Sequence, residues 1–376
     1  MIKKLGTAIS EYSVRNKLDE DIPVYSVTNE QGFCTGYFSK DVASKDRTTY
    51  KIVPYGYFAY NPSRINVGSI DWQHSEERVI VSPLYVVFGV DNSIDKRYLL
   101  HYLKSDIARM LIKTYASGSV RDNLKLSTLM EFPFNFRSLE EQRKIADVLD
   151  KIDYLIGVQK QRMDYFDRLV KSRFIELFGD PVSNPHGYPK VSLSELAEIK
   201  IGPFGSLLHK EDYIENGHAL VNPSHIVDGE ISIESKLTIS DDKFSQLSAY
   251  HLQVGDVVMG RRGEMGRCAV VQVGGLLCGT GSLLIRTKGD VTADYLQKII
   301  SFPSFKKTIE DMAVGQTMPN LNVPIVSRFQ IIKPPIEVQK AYYTFIEQTD
   351  KSKLAVQQGL RELETLKKSL MQQYFS

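Results

Sequence analysis

Cysteine is scarce: Cys34, Cys268 and Cys278 are the only thiols in 376 residues, and they are scattered. That excludes a disulfide framework and leaves no metal-ligand spacing; it suits the reducing cytoplasm. Long apolar runs are missing as well. The best, residues 84–90, is strand-sized, whereas a membrane helix needs roughly 18 residues, so no membrane association is expected. Lys3 and Lys4 have no apolar stretch behind them, so the N-terminus does not read as a signal peptide. An excess of one charge is also lacking: 47 Lys and Arg against 45 Asp and Glu give a net charge of +2. A non-specific phosphate binder carries more, although a sequence-specific reader with a local basic face is compatible with this value.

The signatures of chemistry are absent too. There is no G-x-x-x-x-G-K-S/T phosphate loop, which excludes an ATP-driven motor on this chain. Asn61-Pro62-Ser63-Arg64 lacks the second proline and the aromatic of an amino-methyltransferase string. Gly279-Thr280-Gly281 is a lone glycine pair and reads as a turn. The seven histidines form no H-E-x-x-H or paired metal spacing. No catalytic, cofactor-binding or metal-ligating residue is therefore expected.

What is present is a repeat, and a repeat sets architecture before any local motif does. Gly118-Ser119-Val120-Arg121-Asp122-Asn123-Leu124 aligns with Gly315-Gln316-Thr317-Met318-Pro319-Asn320-Leu321 at an offset of 197 residues. At the same offset Tyr98-Leu99 meets Tyr295-Leu296, Phe132 meets Phe329, Gln142 meets Gln339, Asp153 meets Asp350, Lys171-Ser172 meets Lys368-Ser369, and Phe178 meets Phe375. Upstream the register loosens: residues 56–60 resemble 255–259 at an offset of 199. Two halves sharing a scaffold but differing in their N-terminal portions is the pattern of duplicated modules with different reading surfaces.

The C-terminal part of each repeat reads as one long helix. Ser138 and Glu141 form a capping box. Apolar residues then recur every seven positions, in one row Leu149, Ile156, Met163, Val170 and Leu177, in another Ile145, Ile152, Gln159, Phe166 and Arg173. Gly179 followed by Pro181 supplies the stop. The second helix carries Tyr342, Thr349, Val356, Leu363 and Leu370, beside Ile346, Lys353, Leu360, Lys367 and Tyr374. Each would run about 60 Å over about 40 residues, longer than a 150-residue domain needs, and the sustained heptads predict a coiled coil within the chain. Gly157 and Gly359 each oppose this by about 1 kcal/mol.

The remaining segments, 1–137 and 180–333, read as mixed α/β modules. Strands are expected at 22–27, 79–90, 254–259, 268–273 and 283–286, and a helix in each half at about 96–115 and 293–313. The string Asn184-Pro185-His186-Gly187-Tyr188-Pro189 opens the second module.

The order module, long helix, module, long helix resembles the specificity subunit of type I restriction-modification enzymes. Phe178-Gly179-Asp180-Pro181 leading to Leu193-Ser194-Glu195-Leu196, then Ile201-Gly202-Pro203-Phe204-Gly205-Ser206, resembles the start of a second target recognition domain; Gly315 to Leu321, followed by Pro334-Pro335-Ile336-Glu337-Val338-Gln339, resembles its exit. The resemblance covers nearly the whole chain, although the first half lacks the Gly-Pro-Phe-Gly turn and the second helix lacks a capping box. It implies an α/β fold with a pseudo-twofold repeat: recognition domain 1 at 1–137, a helix at 138–179, recognition domain 2 at 180–333 and a helix at 334–376, the helices antiparallel. It also implies a non-catalytic chain that reads a bipartite site in double-stranded DNA, the helical pair setting the gap. The implied partners are two methyltransferase (modification) subunits and motor-nuclease subunits, with S-adenosylmethionine and ATP bound on those partners.

A DNA reader needs Arg, Lys, Asn and Gln at base edges and donors to phosphates. In the first half the candidates are Asn61, Arg64 and Asn66, then Gln73 and Arg78 near Trp72 and His74, with Arg121 and Lys125 for phosphate. In the second half they are Ser206, His209 and Lys210, and the Arg261, Arg262 and Arg267 cluster in Arg261-Arg262-Gly263-Glu264-Met265-Gly266-Arg267. Asn123 and Asn320 read as turn caps buried under a helix, and Lys306-Lys307 as a solvated helix face. Two other readings stay open on sequence: a coiled-coil adaptor whose globular halves bind protein, and a self-contained DNA-modifying enzyme. Sequence-specific DNA binding with steep salt dependence separates the adaptor from the reader.

Overall fold

A computed structural model of the chain describes residues 1–36, 47–116, 123–264, 266–313 and 320–376. Its contacts fall into two compact units: residues 1–163 with 354–376, and residues 164–353. Both long helices form as the heptads predict, Leu139–Phe178 and Ile336–Phe375, 40 residues each. Each therefore places one end in each unit.

Within the first unit the core is a four-stranded antiparallel sheet, ordered Ile9–Glu11, Val86–Val90, Phe58–Tyr60, Ile70–Trp72. Phe58 lies opposite Phe88 and Tyr60 opposite Val86. Strand side chains alternate between faces, so Phe58, Tyr60 and Phe88 enter one core while Ala59 and Val87 enter another. With both faces covered, these strands read as continuous apolar runs rather than alternating ones. The second unit repeats the arrangement with Ala197–Ile201, Ser282–Thr287, Val257–Gly260 and Cys268–Val270; here Val257 lies opposite Ile285 and Met259 opposite Leu283. It adds a five-stranded sheet, Tyr213–Ile214, Thr238–Ile239, His218–Val221, Leu276–Cys278 and His251–Leu252, with one parallel pairing. The first unit has instead the two-stranded pairs Lys51–Pro54 with Arg78–Val81 and Ser26–Thr28 with Gly32–Cys34.

Three expected elements are broken. The run at 79–90 is two strands, split by a turn in which Tyr85 N–H donates to Ser82 O. The helix expected at 96–115 is Lys96–Lys104 and Asp106–Ala116, because Ser105 leaves helical geometry and its hydroxyl accepts from Ala108 N–H. The one expected at 293–313 is Ala293–Ser301 and Pro303–Met312. Pro303 holds Phe302 extended.

The repeat extends to single hydrogen bonds. Gln142 is fully buried; its Oε1 accepts from Asp95 N–H at 2.8 Å, and its Nε2 donates to Ser93 O and Arg137 O at 2.9 Å. Gln339 does the same in the second unit, accepting from Thr292 N–H at 3.0 Å and donating to Asp290 O and Pro334 O. Each glutamine thus ties the first turn of a long helix to the loop before a module helix. The pairing of Ile2–Lys4 with Pro133–Asn135 recurs as Lys190–Ser192 with Gln330–Ile332.

The capping box is present: Ser138 N–H donates to Glu141 and Glu141 N–H to Ser138 Oγ. Gly179, at φ +69°, ends the first long helix with its N–H on Ile175 O, and a side chain there would strike Pro185. Every residue of the four heptad rows is buried or half-buried. In the first unit the helix ends run antiparallel, with Arg137 donating to Tyr374 O and Lys367 paired with Asp153. In the second, Lys353 pairs with Asp167 at 2.6 Å, and Phe178 and Tyr342 stack edge to face. Phe178 and Phe375, the repeat-equivalent last residues of the two helices, plug the two cores: Phe178 against Tyr295, Phe375 against Tyr98 and Tyr102. Burying such a side chain contributes about 1.5–3 kcal/mol.

Candidate nucleic-acid interface

In the first unit the site is built on the turn after strand Phe58–Tyr60. Asn61 Oδ1 accepts from Ser63 N–H at 3.2 Å and Ser63 Oγ at 2.9 Å, an Asx turn. One helical turn, Ile65–Val67, follows, pinned by buried Ile65 and closed by Gly68 at φ +91°. Leu124 N–H donates to Pro62 O, and Tyr60 Oη donates to Leu124 O at 3.0 Å, so the turn is clamped to the last residue of the repeated string. This leaves Arg64 and Asn66 exposed and Asn61 half-buried, with exposed Lys125 next to the clamp. The Arg64 guanidinium has no hydrogen-bond or ion-pair partner among the described residues. Asn61 and Arg64 line a cleft of about 190 Å³ with Thr28, Asn29, Ser69 and Tyr85. Asn29 and Ser69 escaped the sequence reading because isolated polar loop residues carry no pattern.

The second unit builds the same turn with different residues. Arg261 N–H donates to Gly281 O, and Leu321 N–H donates to Arg261 O at 2.9 Å, as Leu124 does to Pro62. Arg262 is exposed, its backbone bridged to Asn320. Arg261 is half-buried, its Nε enclosed without a partner among the described residues; burial and the adjacent Arg262 charge hold its pKa below the ordinary arginine value. Gly202, Gly279 and Gly281 let neighbouring loops converge here, since a side chain on any of them would strike Gly279 O, Asn222 or Pro223 respectively. Asn222 Oδ1 accepts from Gly281 N–H, a role only the Asn-Pro turn signal foreshadows. Ser206, His209 and Lys210 are all exposed on the loop after strand Ala197–Ile201.

Five residues sit otherwise than expected. Gln73 is fully buried: Oε1 accepts from Ser75 and Glu76 N–H and Nε2 donates to Glu76 O at 2.6 Å, so it shapes the 73–77 turn and lies out of reach of a base. Arg78 is held by Glu20 at 2.5 Å. Arg267 is tied to Glu264 and to Pro223 O, and Glu264 also takes Lys306 at 3.3 Å; these two cations hold the Glu264 carboxyl below its usual range. Lys306 is therefore not a solvated helix face. Asn123 is exposed rather than buried as a cap, and the cap of helix Val323–Ser327 is Asn322, whose Oδ1 accepts from Ile325 N–H. Asn320 is half-buried with its Oδ1 enclosed. Arg121, Met265 and the strings 118–122 and 315–319 lie outside the described residues.

Burial pushes the Cys268 thiol up to about 11 and Cys278 to about 12, which keeps both protonated and poorly nucleophilic. Among the described residues no cluster of His, Cys, Asp and Glu could hold a metal, and no helix is long and apolar enough to cross a membrane.

Each unit thus sets an exposed arginine on a turn clamped by a buried leucine amide. The family model of the type I restriction modification DNA specificity domain matches twice, at residues 3–164 and 185–365, and the chain belongs to that family. It is 22% identical over 312 residues to the type I restriction enzyme MjaVIII specificity subunit of Methanocaldococcus jannaschii, covering 78% of this chain and 72% of that one. The MjaIX specificity subunit of the same organism is 23% identical over 288 residues, covering 71% of this chain and 66% of that one. Among solved structures, one from a type I restriction-modification system matches with a TM-score of 0.64 at 16% identity, covering 100% of this chain and 97% of that one. The HsdS subunit from Thermoanaerobacter tengcongensis matches at 0.51 and 15% identity, covering 100% and 96%. These likenesses extend the shared fold over the whole chain.

Proposed function

We propose that this chain is the non-catalytic DNA-reading subunit of a type I restriction-modification complex, each unit reading one half of a bipartite target in double-stranded DNA. The observation that carries the reading is the repeated turn. After the same strand, clamped by the same backbone bond to Leu124 or Leu321, one unit exposes Arg64 and Asn66 beside half-buried Asn61, and the other exposes Arg262. A guanidinium forks onto guanine edges in the major groove or onto phosphate, and two sites on one DNA face recur about every 34 Å. The specificity-domain family supports a partner set of two S-adenosylmethionine-dependent methyltransferase subunits that flip and methylate a base in each half-site, joined by ATP-driven motor-nuclease subunits, in the cytoplasm. The domain division that fits this role is 1–137, 138–179, 180–333 and 334–376.

Affinity capture of the tagged chain from its own cell, followed by mass spectrometry, tests the assembly. A DNA methyltransferase in excess over the bait is the expected result. Its absence, from a cell that encodes one, favours a coiled-coil adaptor whose globular halves bind protein.

A further inference from the structure

A cavity of about 600 Å³ in the first unit plays no part in the reading turn. It is lined by helix Asp106–Ala116 and by the first-unit ends of both long helices. Five cations, Lys104, Arg109, Lys160, Lys367 and Lys368, face it against three carboxylates, Asp106, Asp153 and Glu364. Asp153 is taken by Lys367, and Asp106 lies 4.0 Å from Arg109. Lys104, Lys160 and Lys368 have no hydrogen bond or ion pair among the described residues.

Lys104 is the telling member. It is half-buried, and burial holds its ammonium below the ordinary lysine range; the Asp71 charge opposes this, while the Lys367 and Arg109 charges add to it. The Asp71 and Asp153 charges oppose burial without cancelling it, and a desolvated ammonium that is incompletely compensated is costly; an anion in the cavity lowers that cost. The site is also placed for one: Arg109 Nη2 lies 3.8 Å from where a side chain on Gly68 would begin, and Gly68 closes the turn bearing Asn61, Arg64 and Asn66. The equivalent place in the second unit holds a smaller cavity, about 360 Å³, with a different lining. At the 197-residue offset Lys104, Arg109 and Lys160 become Ser301, Lys306 and Gln357, and Lys306 is already paired with Glu264.

We propose that this cavity is a phosphate-binding site that holds the DNA backbone beside the half-site read by the first unit. This rests on the DNA-reading role above. Ammonium groups act as point charges toward phosphate, and such contacts position a duplex without specifying its sequence. The helix pair is then part of the DNA-binding surface, and the two half-sites are held with unequal backbone affinity.

The test uses the full chain with its partner subunits, read by fluorescence anisotropy on a duplex carrying the target and on one of random sequence, across a salt series. The Lys160→Gln/Lys368→Gln double variant changes only exposed positions, so folding is not at stake; Lys104→Gln is the second variant. The expected result is an equal loss of affinity on both duplexes, on the order of tenfold for the double variant, and a log K against log salt slope shallower by about one per lysine in contact. In a parallel arm, inorganic pyrophosphate should raise the thermal midpoint of the wild type and not that of the variants. Lost pyrophosphate protection with an unchanged DNA slope keeps the phosphate site but overturns the backbone as its source. Unchanged slope and unchanged protection overturn the site altogether. A wild type that binds neither duplex contradicts the DNA-reading role instead, and the pyrophosphate arm still judges the cavity.

Discussion

Arg64 and Arg262 occupy one piece of scaffold in two different surroundings. Both follow the third strand of a four-stranded sheet, and both turns are clamped by the amide of a buried leucine, Leu124 or Leu321. Around Arg64 the turn is an Asx turn beside Asn29 and Ser69. Around Arg262 it is a glycine-packed junction of several loops, flanked by the fixed pair Arg267 and Glu264. What the two units share at these turns is buried and hydrogen-bonded; they differ in the exposed residues that follow and, deeper, in the five-stranded sheet that only the second unit adds. Duplication followed by divergence at the tips gives two readers on one frame, and the frame is the part that can be broken symmetrically.

The largest effects should come from the helix plugs. Phe178→Ala should destabilise the second unit by about 3–5 kcal/mol, and Phe375→Ala the first by an amount at the lower end of that range, since Phe375 is 8% exposed. Hydrogen exchange resolved by peptide should show each loss confined to its own unit; a loss spread evenly over both would break the comparison. Next come the glutamines. Gln142→Ala and Gln339→Ala each strand one amide and two carbonyls, costing about 2–3 kcal/mol, and equal shifts in urea midpoint are expected. A twofold disparity would mean that only one of the two ties matters.

The smallest effect should set the units apart through pH. Burial raises the Asp150 pKa, but hydrogen bonds from His101 at 2.7 Å and Arg97 at 2.9 Å outweigh it, and the net shift is downward. Its contribution is present above the ordinary carboxylate range and is lost as pH falls through the lowered value. Asp294, which aligns with Arg97, has its pKa raised by burial, so the second unit gains relative stability as pH falls through that raised value. Acidification from about 6 to about 3 should therefore weaken exchange protection around Lys96–Lys104 while strengthening it around Ala293–Ser301, by under about 1 kcal/mol each after solvent screening. Parallel changes in both units would contradict this.

The frame was legible in the sequence because it is local and periodic. The 197-residue offset paired Gln142 with Gln339 and Phe178 with Phe375, and the heptads located both long helices. The module interiors were less legible because their sheets are non-local: Phe58 pairs with Phe88 and Val257 with Ile285, contacts that no window of sequence reveals. Breaks at Ser105 and Phe302 were hidden inside apolar periodicity that continues across them. At the site, residue type identified Arg64 and Arg262 but not what holds a side chain back. Gln73 has the chemistry of a reader and spends it on its own turn; Arg267 has the charge of one and spends it on Glu264.

The most direct measurement is methylome sequencing of cells carrying the complex with Arg64→Ala or Arg262→Ala in this chain. Each substitution should relax one or two base pairs in one half of the bipartite target, at a cost of about 1–3 kcal/mol, the two acting on opposite halves with the other half unchanged. Relaxation of the same half by both variants, or of neither half by either, would contradict the assignment of one half-site to each unit.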